Sequence, residues 1–233
     1  VESVHPKPFH IYLDADQTNN ASSGAAIALG IKAALHEVGN KLGGYPVKLI
    51  IKDHHGSSPR SQYHLEQFIE DPKALAVFGG MHSPPLLNSR DYINENQILT
   101  LVPWAAATPI TRPNDDKNWI FRLSIDDSKA GYVITKFAVD KKGVSKPALL
   151  LEQTGWGQSN KKTMSTALEA LNITPNSISW FNWGISKERA IANLQEIKRN
   201  GADAIFLVAN STEGKTIISA MESLPPDQRL PIF

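Results

Sequence analysis

Short apolar runs rich in β-branched residues alternate along the chain with longer segments in which apolar positions recur every three or four residues. This is the grammar of parallel β-α-β units. The first run predicts a strand at 11–13, followed by a polar turn over 14–23. Apolar Ala26, Ile27, Ile31, Ala34, Leu35 and Val38 then predict a helix, with Gly43 and Gly44 as its end. Strands are expected at 47–52, 74–78 and 98–102, with helices at 61–70 and 85–96 between them. Over 103–118 the pattern lapses into a stretch holding Pro103, Pro109 and Pro113 with Asn114, Asp115 and Asp116, a turn-forming composition. The alternation resumes with helices at 129–139, 159–171, 187–200 and 213–224 and strands at 148–152, 177–181 and 204–208.

The expected fold is therefore α/β, with two Rossmann-like lobes whose parallel sheets are flanked by helices. An N-terminal lobe at 1–112, a crossing or hinge segment at 113–128 and a C-terminal lobe at 129–233 divide the chain. The run 229–233 reads as the start of another buried strand with no helix to cover it, so a C-terminal part is expected to be missing.

Composition narrows the function more by exclusion than by indication. The 233 residues are 41% hydrophobic and 20% charged, an ordinary globular balance. With 24 Lys and Arg against 23 Asp and Glu, no basic block tracks the phosphates of nucleic acid, and nucleic acid is not an expected partner. The absence of cysteine excludes disulfides, thiolate metal sites and cysteine nucleophiles. No apolar run approaches the roughly 20 residues that span a bilayer, and the amino terminus has no signal-peptide pattern. If the protein is exported, a processed form is expected.

Enzyme signatures of α/β folds are missing: there is no G-x-S-x-G elbow, no phosphate loop and no G-x-G-x-x-G after the first strand. Neither an enzyme nor a bound cofactor is expected. Adjacent His54 and His55 should point apart on an extended chain, so the segment reads as a solvated loop and not a metal site. The pairs Asp115–Asp116 and Asp126–Asp127 read as turn formers or caps. The informative places are the turns after the strands, where open α/β sheets hold ligands. Gly79, Gly80, Met81, His82 and Ser83 follow one strand, and Ser83 suits either a helix cap or a carboxylate ligand. Ala105, Ala106, Ala107 and Thr108 follow another, leaving room for a ligand or making a tight packing turn. Trp156, between Gly155 and Gly157, suits either a pocket wall or a lobe core.

These turns, together with Gly30 to Ala34, Asp53, Ile98 and Leu99 before Pro103, Phe121 and Arg122, Asp127, Gly131 and the Trp156–Gly157 pair, resemble the type I periplasmic binding proteins, in their branched-chain amino acid binding branch. The resemblance implies two lobes that close like a clamp on an amino acid or similar small carboxylate. It places ligand contacts at Ser83, with neighbouring His82 and the turn Ala105, Ala106, Ala107 and Thr108, at Trp156 where a tyrosine is more usual, at Ser22, and at Asn210 or Ser211. It further implies a monomeric, periplasmic or extracellular bacterial protein that delivers its ligand to a membrane transporter permease. The alternatives on the same fold are a ligand-sensing ectodomain and an envelope protein-interaction module. The acidic residue that pairs with a ligand ammonium in this family lies beyond the chain, so amino acid specificity is not carried over and the ligand's identity is left open.

Overall fold

Alternation along a single strand positions the first half of the molecule. In the computed structural model, which describes residues 7–112 and 117–233, β1 (Phe9–Ala15) turns Ile11, Leu13 and Ala15 toward one helix and Tyr12 and Asp14 to the opposite side. That helix is α1 (Ala21–Glu37), whose Ala28, Ile31 and Leu35 meet the strand and Val47. On the other side, Tyr12 packs edge-on against Phe68 of α2 (Ser58–Glu70), with ring centroids 5.3 Å apart. Two-residue alternation on the strand and three-to-four-residue spacing on the helices thus bury two faces at once.

The remaining elements of this unit are β2 (Lys41–Leu42), β3 (Tyr45–Asp53), β4 (Ala74–Gly79), α3 (Ser83–Glu95), β5 (Thr100–Val102), a 3₁₀ turn (Thr108–Thr111) and β6 (Ile120–Arg122). The strand order is β2-β3-β1-β4-β5-β6, parallel except for the β2–β3 hairpin. The described residues divide into two units between Ile125 and Asp126.

Three details differ from the sequence pattern. α1 stops at Glu37, where Gly39 and Asn40 take positive φ; Gly43 and Gly44, also at positive φ, instead turn the β2–β3 hairpin. Both glycines occupy backbone space that a side chain disfavours. β6 lies beyond a stretch that reads as irregular, and it is only three residues long. His54, expected in a solvated loop, is 1% exposed, whereas His55 is exposed. The Asp115–Asp116 pair lies outside the described residues.

The side of the first sheet that carries α1 is open beside that helix. A groove of about 470 Å³ there is lined by Ile11, Ile27, Ile31, Phe78, Pro103 and Leu123, the last 87% exposed.

The second unit contains α4 (Asp127–Lys142), β7 (Pro147–Glu152), α5 (Gly155–Glu169), β8 (Ser177–Phe181), α6 (Lys187–Arg199), β9 (Ala204–Val208), α7 (Ser211–Ser223) and a short 3₁₀ turn (Pro226–Gln228). Its parallel sheet runs β8-β7-β9, and every residue of central β7 is buried. Ala148 and Leu150 of β7 join Leu194 and Ile197 of α6 and Ile217 and Ala220 of α7. Leu149 and Leu151 join Ala138 of α4 and Met164 and Leu168 of α5. Each fully buried leucine contributes about 1.5–3 kcal/mol by leaving water. Side-chain caps start three helices: Asp126 accepts from Ser128 N at 2.9 Å, Thr154 from Gly157 N at 3.4 Å and Ser186 from Arg189 N at 3.2 Å. At the far edge, Ile232 pairs in parallel with Ile205 of β9, and Phe233 meets Phe206 at a centroid distance of 6.0 Å. The run expected as a strand is thus realised as a single bridge. No helix among the described residues is long and apolar enough to cross a membrane.

Candidate functional site

In the order β3-β1-β4, the connections after β1 and β4 leave toward opposite sides of the sheet, because α1 covers one face and α3 the other. Such a switch point opens a crevice at the carboxyl ends of the strands. Gly80 belongs there for a steric reason: a Cβ on it would come within 2.9 Å of the Ala15 Cβ, so only glycine lets the two turns approach this closely.

The turn after β1 is built around Asp16, which is 2% exposed. Its Oδ1 accepts Thr18 N at 3.1 Å and Asn19 N at 2.8 Å, and its Oδ2 accepts Asn20 Nδ2 at 3.2 Å and lies 3.0 Å from His82 Nε2. Burial alone would raise the Asp16 carboxyl, but the hydrogen bonds from Asn20, Asn19, His82 and Thr18 outweigh it and hold the group down at about 2. Asp53, at the end of β3, ties in the same turn by accepting Gln17 N at 2.9 Å and the Thr18 hydroxyl at 2.7 Å.

His82 and Ser83, both buried, open α3. Ser83 Oγ accepts the Ala107 N–H at 3.2 Å, which joins the turn after β4 to the turn after β5. Ala105 and Ala107 are fully buried, Ala106 and Thr108 half-buried, and Thr108 begins the 3₁₀ turn. The Ala107 carbonyl accepts from Arg122 Nη1 at 2.7 Å, so the small-residue run is a packed turn whose backbone is held from β6. Ser22 is exposed on the first turn of α1.

In the second unit, Trp156 is half-buried against the core of α4, α5 and β7, and its indole N–H donates to Asp127 Oδ1 at 3.2 Å. Asn210, at the start of α7, donates from Nδ2 to Glu152 Oε2 at 2.9 Å; exposed Ser211 follows it. Thr154 donates to Glu152 Oε1 at 2.9 Å. Glu152 therefore fastens the starts of α5 and α7 from beneath.

The structure thus brings Ser22, His82, Ser83 and the 105–108 turn to the strand ends of the first sheet, and Trp156, Asn210 and Ser211 to those of the second. Sequence reasoning missed the carboxylates beneath them, Asp16 and Glu152, as well as Asn20. The legible signal was an acidic residue at the last position of, or just after, a buried strand. Among the described residues, no group of three histidines and acids is placed to hold a metal ion.

A family model described as periplasmic binding protein matches residues 12–229. The chain belongs to the periplasmic binding protein family. No curated protein sequence matches it. Among solved structures, this family member is similar to a periplasmic binding protein of Burkholderia mallei, with 17% identity, a TM-score of 0.87 and 97% of this chain aligned to 60% of that one. A solute-binding protein of an ABC transporter from Rhodopseudomonas palustris HaA2, in complex with p-hydroxybenzoic acid, gives 20% identity and a TM-score of 0.84 over 97% of this chain and 61% of that one. A leucine-binding protein of Thermotoga maritima gives 18% and 0.78 over 91% and 59%. At such identities the likeness is one of fold, the type I periplasmic binding protein fold. The chain spans about 60% of the length of these structures.

Proposed function

We propose that this family member is the solute-recognising component of an ATP-driven uptake system, working outside the cytoplasmic membrane and handing a small carboxylate to a membrane permease. Its role is to bind and not to catalyse. By the resemblance, the two units close on the ligand; Ser22, His82, Ser83, Ala106 and Thr108 contribute contacts from one, with buried Ala105 and Ala107 shaping the turn beneath them, and Trp156, Asn210 and Ser211 contribute from the other. The likeness to folds that hold p-hydroxybenzoic acid and leucine, both carboxylates, supports the ligand class.

The observation that carries the reading is the position of Ser83. It opens α3 at the switch-point crevice, and the two residues after it are Pro84 and Pro85, which have no N–H. The anion-attracting donors of this helix start are therefore concentrated on Ser83. Its oxygen is fixed by the Ala107 N–H, and a hydroxyl that accepts one bond still carries a proton to donate.

Calorimetric titration with p-hydroxybenzoate and with leucine tests this. Hydrogen bonds to a charged group contribute about 1.5–3 kcal/mol, so Ser83→Ala should weaken binding of whichever carboxylate is recognised by roughly tenfold or more. Equal affinity for p-hydroxybenzamide, which carries no charge, would rule out carboxylate recognition.

A further inference from the structure

A second polar cluster lies directly beneath the ligand-facing turns of the first unit. His54 follows β3, 1% exposed, with its ring centroid 6.1 Å from that of His82. From β1 and the turn after it, Asp14 and Asp16 face it; from α2, His64 and Ser61; from the turn before α3, His82; its own turn carries Asp53 and His55. The carboxylates are already engaged. Asp14 bonds the Ser61 hydroxyl and His64 Nδ1, the latter at 2.7 Å, while Asp16 holds the donors of its own turn and His82. The space lined by Asp14, His54 and His82 is about 10 Å³, at the lower limit of what a single water needs.

The bond that His54 itself makes fixes its chemistry. Its Nδ1 accepts the Gly56 N–H at 2.9 Å, so Nδ1 carries a lone pair and the ring is neutral. A proton added to Nδ1 would take that lone pair and face the Gly56 N–H directly. The turn so disrupted holds His55 at φ 52 and Gly56 at φ 78, and it is docked on the turn after β1: Asn19 Nδ2 donates to the His55 carbonyl at 3.2 Å, and Asp53 holds Gln17, Thr18 and His55. Through Asp16 and Asn20 this reaches His82, the residue before Ser83. Burial pushes the His54 imidazole below its ordinary value, in keeping with a site built for the neutral ring.

We infer that His54 is a positioning residue: its uncharged ring locks the turns after β1 and β3 together beneath the ligand contacts, and protonation unlocks them, so that ligand affinity falls in acid. The affinity part rests on the small-carboxylate reading above, whereas the unlocking of the turns does not.

Amide-exchange protection factors and imidazole ¹⁵N shifts, recorded on the labelled chain from pH 7.5 to 4 without ligand, decide it. Protection at residues 16–20 and 55–57 should fall, by at most tenfold per pH unit, as the His54 ring titrates. His54→Asn places an amide oxygen where Nδ1 was, forming an Asx turn that still accepts the Gly56 N–H and takes no proton. This variant should keep the turns protected over the whole range, whereas His54→Leu should leave them open even at pH 7.5. Protection in the wild type that is unchanged while His54 titrates, or a His54→Asn profile that follows the wild type, would overturn the inference. With p-hydroxybenzoate or leucine, the affinity loss in acid should likewise vanish in His54→Asn. If neither binds at any pH, the ligand reading fails and the exchange data still judge the lock.

Discussion

Replacing Gly157 with alanine is expected to destabilise the second unit by about 3 kcal/mol, the upper end of what overpacking costs. Gly157 sits in the first turn of α5, and a Cβ on it would lie far inside van der Waals contact with the Glu152 carbonyl oxygen, with a Trp180 ring carbon 3.1 Å away on another side. The carbonyl cannot yield. Glu152 ends the central strand, whose residues are all buried, and its side chain is fixed by Thr154 and Asn210. For a chain of this size the melting midpoint should drop by roughly 6–12 °C. Gly214 is the internal control: only the Ala209 Cβ, at 3.9 Å, would meet a methyl there, so Gly214→Ala should leave the midpoint unchanged or raise it by helix propensity. Equal effects of the two substitutions would refute the steric account.

Asp16→Ala should cost about 3 kcal/mol, because it leaves the Thr18 and Asn19 N–H groups and the Asn20 and His82 side chains around a buried acceptor that is no longer there. The same carboxylate sets an acid limit. Its folded value of about 2 lies below the ordinary 3.8, so its contribution is complete above 3.8 and is lost as pH falls through 2. The span corresponds to about 2 kcal/mol. Denaturant midpoints at pH 5 and pH 2.5 should therefore converge more closely in Asp16→Asn, whose amide does not titrate, than in the wild type. An identical acid loss in both would place the sensitivity elsewhere.

How much of this was legible in the sequence depended on whether the signal was local. Periodicity carries its own answer: the buried run of β7 and the three-to-four spacing of α6 appear almost where the pattern sets them. Helix starts were read late. α5 begins at Gly155 and not at 159, since Thr154 caps it and the glycines around Trp156 conceal the helical period. β2 and β6 are too short to show any alternation. The polar network beneath the site was invisible for a different reason. Asp14 and Asp16, His54, and His82 stand at the ends of three strands far apart in sequence, and only the order β3-β1-β4 makes them neighbours. His54 beside His55 read as solvated because two adjacent histidines carry no information about which one faces inward.

The open groove beside α1 gives the chain two surfaces that respond to the solvent in opposite ways. Its charged exterior weakens as an attractive surface when salt screens it. The groove lined by Phe78, Pro103 and Leu123 behaves as exposed oil: any association through it strengthens with sulfate and with warming, and loosens in the cold.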